Sequence, residues 1–324
     1  MIKVGIIGGA GYTAGELLRL LVHHPQIQIQ FVQSTSQAGL KVSEIHHDLI
    51  GDFDQEFVAQ HQDNVDLLFL CMGHGKSREF IDKTILSSSV KVIDLSHDYR
   101  LKDKSVASDH RVFIYGLPEL NKNAIKGANH IANPGCFATA IQLALLPAAG
   151  LIQDDVHVHA ITGSTGAGQN PTAFTHFSWR NNNVSHYKAF AHQHLGEIGE
   201  SMVQAGNGFD HDINFLPIRG DFARGIFATA YFKSDLTLEE VKARYEEFYA
   251  DAAFTHVVDH KISLKEVVNT NKCILSIEKI DGKILITSCI DNLLKGASGQ
   301  AVQNMNLMFG LPENTGIQLK ASMF

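Results

Sequence analysis

The chain has 324 residues, 44% of them hydrophobic and 19% charged, and a formal net charge of -7. This composition excludes an intrinsically disordered or membrane-embedded chain, and its mildly acidic balance speaks against nucleic acid as a partner. The length exceeds what one hydrophobic core usually fills, so about two domains are expected, with no need of staples.

The opening MIKVGIIGGAGY passes from one Lys into an apolar run and then glycines, without the h-region or cleavage site of a secretory signal. The cysteines at 71, 136, 273 and 289 show no CxxC spacing, so neither a disulfide framework nor a zinc knuckle is expected. A reduced, cytoplasmic setting follows.

Residues 2–36 read as a β-branched run, a Gly-rich turn, an amphipathic stretch with Leu17, Leu18, Leu20 and Leu21, and a second run from Ile27 to Val32, the β-turn-α-β pattern of a dinucleotide-binding half. Strands are predicted at VDLLFLCM and VKVIDLS, giving a parallel sheet. After Gly150 the texture changes. DDVHVHAITGST, INFLPI, GIFATAYF, CILSIEKI and KILITSCI alternate more clearly, with one helix at TLEEVKARYEEFYADA. The expected fold class is α/β: a Rossmann-type parallel-sheet domain over 1–148, completed by a C-terminal helical segment at 292–324, and an α+β catalytic and oligomerisation domain over 149–291.

In GIIGGAGYTAGEL, the small residues Gly8, Gly11 and Ala14 follow a strand and open a helix at Tyr12 and Thr13. Such a turn lets the backbone approach a pyrophosphate while the helix N-terminus supplies N–H groups and positive dipole. The second strand ends in Ser34, Thr35 and Ser36, with Lys41 beyond and no acid. Hydroxyls and a cation suit a 2′-phosphate, so NADP(H) is expected over NAD, against a solvated polar loop.

Cysteine is among the residues most often buried, and Cys71, Cys273 and Cys289 lie in apolar strand-like runs. Cys136 instead follows Asn133, Pro134 and Gly135 and precedes a helix-like run, where a helix N-terminus would favour a thiolate nucleophile. A thiolate nucleophile needs an acid/base partner, and YKAFAHQHLGEIGE offers His192 and His194 ahead of a helix start carrying Glu197. HVH at 157–159 lacks a neighbouring Cys or carboxylate at ligand spacing, so no metal site is expected. TGSTGAGQ, with Gly166, offers backbone N–H groups of the kind that cradle anions. In PIRGDFARG, Arg219 and Arg224 either clamp a carboxylate or phosphate or form surface ion pairs.

A nicotinamide-dinucleotide turn and a thiolate in one chain imply interconversion of an aldehyde with an activated acyl compound. GGAGYTAGELLRLL, VIDLSHDYRL, YGLPELN, NPGCFAT, TGSTGAGQ, HQHLGEI and DNLLKGASGQAVQNMNL together resemble the N-acetyl-gamma-glutamyl-phosphate reductases, an arginine-biosynthesis family of the aspartate-semialdehyde dehydrogenase superfamily. The resemblance spans residues 4 to 307 in family order. It implies NADPH-dependent, reversible conversion of an acyl phosphate to a semialdehyde and phosphate through a Cys136 thioester, in a homodimer or homotetramer. It further implies that His192 is the acid/base, with His194 the second candidate. Arg100, Asn133 and Arg224 would serve the substrate, and Gly166, Asn292 and Lys295 the cofactor. The sequence departs from the family pattern at Gln193, where Arg is usual, at Gly196 for Pro, at Gln169 for Arg and at Ala14 for the third glycine. The alternatives are the same reaction on another N-acyl form such as N-succinyl, aspartate-semialdehyde dehydrogenase activity, and a non-enzymatic NADPH or redox sensor.

Overall fold

The structure, a computed structural model, describes residues 1–206 and 208–323. They form two compact units, one built from Met1–Gly135 and Ala297–Gln318, the other from Cys136–Gly296 and the stretch from Leu319.

The first unit contains β1 (Ile2–Ile7), α1 (Tyr12–Leu21), β2 (Ile27–Gln33), α2 (Val42–Ile45), β3 (Phe57–Val58), β4 (Leu67–Leu70), α3 (Lys76–Lys83), β5 (Lys91–Asp94), β6 (Ile114–Tyr115), α4 (Pro118–Lys126) and β7 (His130–Ala132). Its seven strands form a sheet in the order β3-β2-β1-β4-β5-β7-β6, and every pairing is parallel. Parallel strands are covered on both faces and therefore read as continuous apolar runs, as in β4, where all four residues are buried. The strand order reverses between β1 and β4, the switch point beyond whose carboxyl ends open α/β sheets bind nucleotides. α1 buries Leu17, Leu18, Leu20 and Leu21 and turns its Glu16–Arg19 pair outward.

The second unit begins with α5 (Cys136–Leu145) and continues through β8 (Val156–Thr162), α6 (Phe177–Arg180), β9 (Ser185–His186), α7 (His194–Gly206), β10 (Ile213–Arg219), β11 (Ile226–Lys233), α8 (Leu238–Phe248), β12 (Thr255–Val258), β13 (Cys273–Ile280) and β14 (Lys283–Ile290). Its sheet is mixed, in the order β12-β13-β14-β11-β8-β10-β9, with β8–β10 and β12–β13 parallel and the other pairs antiparallel. α5 is buried on every face from Phe137 to Leu145, mostly with apolar side chains, and it packs on α7, β11 and β14. Its C-terminal carbonyls, which no helical N–H can reach, accept hydrogen bonds from Tyr245 at Ala144 and Tyr249 at Leu143, both 2.6 Å. α8 starts at a capping box in which Thr237 Oγ1 accepts from Glu240 N and the Glu240 carboxylate accepts from Thr237 N.

The chain returns to the first unit through a π-helical turn, Leu294–Ser298, and α9 (Gly299–Met308), which packs on α1 and α4. The division falls at Gly135/Cys136, ahead of the expected 148/149, because α5 belongs to the core of the second sheet. The second division is at Gly296/Ala297 and not at 291/292, because the turn that carries Gly296 packs on Cys136.

Candidate active site

The glycine turn follows β1 at the switch point. Gly8 has φ +80, and a Cβ there would lie 2.9 Å from Met72 and 3.0 Å from the Cys71 carbonyl, so only glycine fits. Its N–H and that of Gly9 both donate to the Gln33 carbonyl, tying the turn to the end of β2. Gly11 caps α1 in extended conformation with nothing within 4 Å of a Cβ position, leaving room for a pyrophosphate before the helix N-terminus. These residues fit a dinucleotide. Tyr12 is exposed, and the Thr13 carbonyl accepts from Ser298 Oγ at 2.7 Å. Ala14 is fully buried, but the position without room for a side chain is Gly15, where a Cβ would meet His46 Nδ1 at 2.6 Å. His46 donates through Nε2 to the Gly9 carbonyl at 2.7 Å and braces the turn; lying 37 residues beyond Gly9, it gave no signal in the sequence. Ser34 and Ser36 stand with their hydroxyls 3.5 Å apart at the end of β2. Lys41, expected as a phosphate cation, is half-exposed and paired with Asp54 at 2.6 Å.

In the second unit, Cys136 is the first residue of α5, a partly exposed thiol in no disulfide, at the positive end of the helix dipole. The other cysteines lack that setting. Desolvation with the nearby Asp94 pushes the Cys71 thiol up, burial with Cys273 and Glu266 nearby does the same to Cys289, and Cys273 contacts Ser288 Oγ. A Cβ on Gly296 would lie 2.8 Å from Cys136 Cβ, so the turn after β14 meets the helix start backbone to backbone.

His192 is 4% exposed, and burial, aided by the Lys188 charge, pulls its imidazole down to about 4. Its Nδ1 accepts from the His194 N–H at 3.2 Å, which places its proton on Nε2. Its ring lies edge-on to Phe137, the residue after Cys136, at 5.4 Å between centroids, and to Tyr187 at 5.8 Å. Tyr187 is pushed up to about 12 by desolvation and by the Cys136 thiolate, so it remains a phenol. His194 opens α7 with Nε2 3.8 Å from Glu197 Oε1, and Gln142 of α5 anchors that helix through the Glu197 carbonyl and Ser201 Oγ.

Several residues expected to meet ligands also make contacts within the chain. Arg224, expected at the substrate, donates from Nε and Nη2 to Asp291, a fully buried carboxylate that also accepts from the N–H groups of Asn269, Leu293 and Leu294. Burying that carboxylate requires such partners. Asn292, expected at the cofactor, accepts from Gly225 N at 2.6 Å and donates to Thr165, pinning the turn that carries Gly166. Lys295 is fully buried in the π-helical turn. Within the first unit, Asn133 donates from N to the Asp94 carbonyl and from Nδ2 to the Ala297 carbonyl, and accepts at Oδ1 from Asn304. Arg100 is buried, donating to the carbonyls of Asn133 and Leu95. Both therefore shape the turn ahead of Cys136. Sequence reasoning missed Tyr187 and Gly296, since neither belongs to a local pattern that signals chemistry.

Residues 3–128 match the family model "semialdehyde dehydrogenase, NAD binding domain" and residues 136–292 the model "semialdehyde dehydrogenase, dimerisation domain". Among solved structures, aspartate semialdehyde dehydrogenase II of Vibrio cholerae, complexed with ASA, superposes with a TM-score of 0.73 at 16% identity, covering 96% of this chain and 98% of that one. The Candida albicans aspartate semialdehyde dehydrogenase with NADP gives 0.68 at 14% identity, covering 97% and 99%. The fold is thus that of the two-domain semialdehyde dehydrogenases. Curated relatives named N-acetyl-gamma-glutamyl-phosphate reductase, from Flavobacterium johnsoniae and Bacteroides thetaiotaomicron, are 58% and 57% identical, each covering 100% of both chains. The chain belongs to the N-acetyl-gamma-glutamyl-phosphate reductase family. Among the described residues, no helix is long and apolar enough to cross a membrane.

Proposed function

We propose that the protein catalyses the NADPH-dependent reductive dephosphorylation of N-acetyl-gamma-glutamyl phosphate to N-acetyl-glutamate semialdehyde, reversibly and in arginine biosynthesis, through a thioester on Cys136. The observation that carries this reading is a partly exposed thiol at the N-terminus of α5, in the unit that also holds a phenol and a neutral, proton-bearing imidazole, in a chain alike over its full length to enzymes of that name.

The Cys136 sulfur attacks the γ-acyl carbon, forming a C–S bond and an oxyanion beside the first N–H groups of α5, where negative charge is favoured. The adduct collapses with cleavage of the carbon–oxygen bond to phosphate, which departs with the bonding electrons and leaves a thioester. The glycine turn at Gly8 and Gly11 would hold NADPH, which would supply the hydride for reduction of this thioester to a thiohemiacetal. His192, neutral at pH 7 with its proton on Nε2, donates to the developing oxygen charge and relays the one proton the overall reaction consumes. Cleavage of the C–S bond returns the Cys136 thiolate and releases the semialdehyde. Asp291, held by Arg224, fixes the turn whose Gly296 abuts the nucleophile. The dimerisation-domain match supports a homodimer or homotetramer, and we place the enzyme in the cytoplasm.

The test is the reverse assay with N-acetyl-glutamate semialdehyde, phosphate and NADP, run beside N-succinyl-glutamate semialdehyde and aspartate semialdehyde. Phosphate-dependent NADP reduction greatest with the N-acetyl substrate is expected. Cys136→Ser should abolish it while NADPH binding, followed by fluorescence, persists. An inactive wild type refutes the reading, and a fully active Cys136→Ser refutes the thioester.

A further inference from the structure

We propose that Arg219, at the end of β10, is the residue that anchors the α-carboxylate of the substrate, holding the acyl carbon over Cys136. This rests on the function proposed above. The guanidinium carbon of Arg219 lies 4.7 Å from the centroid of the Tyr187 ring. Tyr187 in turn feels the charge of Cys136 and packs on His192. The cation and the thiol thus both act on the same phenol.

Arg219 has no carboxylate partner among the described residues, and its Nε is buried without a hydrogen-bond acceptor. A desolvated guanidinium left unmatched is costly, and its planar fork is built for a carboxylate. Arg224, five residues on, shows the contrast: it already holds Asp291. Register also fixes the position, because Arg219 pairs with Ser185 of β9, two residues before Tyr187, and the Tyr187 N–H donates to the Pro217 carbonyl. The segment that brings Tyr187 to the thiol is laced to the strand that ends in Arg219.

The substrate carries two anionic groups. Its phosphate is bonded to the acyl carbon and must lie next to the Cys136 sulfur. Its α-carboxylate lies beyond two methylenes and the α-carbon, away from the sulfur. The carboxylate therefore matches Arg219 better than the leaving phosphate does.

The experiment compares wild type, Arg219→Lys and Arg219→Met in the reverse assay with N-acetyl-glutamate semialdehyde and with 4-acetamidobutanal, which is the same aldehyde without the carboxylate. For Arg219→Met, kcat/KM on the carboxylated substrate should fall by about 10²-fold or more, carried mainly by KM. On 4-acetamidobutanal it should stay within about threefold of wild type. Arg219→Lys, which keeps the charge but loses the fork, should fall between them. Equal losses on both aldehydes would show that Arg219 only braces Tyr187, and an unchanged kcat/KM on the carboxylated substrate would place the anchor elsewhere; either overturns the proposal while leaving the reductase reading intact. A wild type inactive on N-acetyl-glutamate semialdehyde would instead overturn that reading.

Discussion

His192 and His194 are two residues apart yet sit in different settings. The His194 backbone N–H fixes the His192 tautomer, and burial keeps that ring neutral, so a proton is available on Nε2 next to the Phe137–Tyr187 wall of the thiol site. The His194 ring is turned instead toward Glu197 of its own helix. Replacing His192 by Asn should lower kcat by about 10²-fold or more, with the KM for NADP little changed. His194→Asn should lower it far less. Steady-state rates of the two variants decide the matter, and a larger loss in His194→Asn would exchange their roles.

The N-terminus of α5 is placed by elements far apart in the chain: the turn after β14, held by Asp291 and Arg224, closes on it through a glycine. Neither Cys136 Cβ nor the Asp291 carbonyl, 3.3 Å from the position a Gly296 side chain would take, can retreat by a rotamer change. Gly296→Ala must therefore shift the helix start, and a displacement of about 1 Å at a reacting atom can cost about 10²-fold in rate. The expected outcome is a loss of kcat of that order together with a changed rate of Cys136 alkylation by iodoacetamide; unchanged kinetics would mean the turn yields without moving the thiol.

The same arrangement shows which parts of the site the sequence made legible. β1, α1 and β2 follow from local periodicity, and Gly8 from the sterics of one turn, all within the first 33 residues. Cys136 could be singled out because its turn and its helix are contiguous with it. The boundary at Gly135/Cys136 could not, since the apolar residues of α5 would serve the core of either unit equally well. Tyr187, Gly296 and His46 owe their places to contacts with residues 37 or more positions away or to a two-residue strand such as β9, and neither leaves a periodic trace. The Arg224–Asp291 pair was not legible for a related reason: an arginine after a strand looks the same in sequence whether its partner is a ligand or a buried carboxylate 67 residues on.

At the scale of the molecule, both units bury imidazoles in their neutral form. Burial pulls His130 in the first unit and His192 in the second down to about 4, the Arg111 charge adding to the effect at His130 and the Lys188 charge at His192, and it lowers His24 and His256 as well. In the unfolded chain these rings titrate near 6.5. Between that pH and about 4 the unfolded state therefore binds protons that the native state refuses, so the stabilisation is complete above 6.5 and is lost as pH falls toward 4. For His130 and His192 the effect is on the order of 2 to 3 kcal/mol each once the lower limit is reached. Urea unfolding midpoints should accordingly hold level from about pH 8 to 7 and drop steeply between about 6.5 and 4.5. His130→Gln, in β7, where no residue is placed in the catalytic machinery, should reduce that slope while leaving the activity at pH 7.5 near wild type. A midpoint that stays constant down to pH 4.5 would mean that these rings gain their protons in the folded protein.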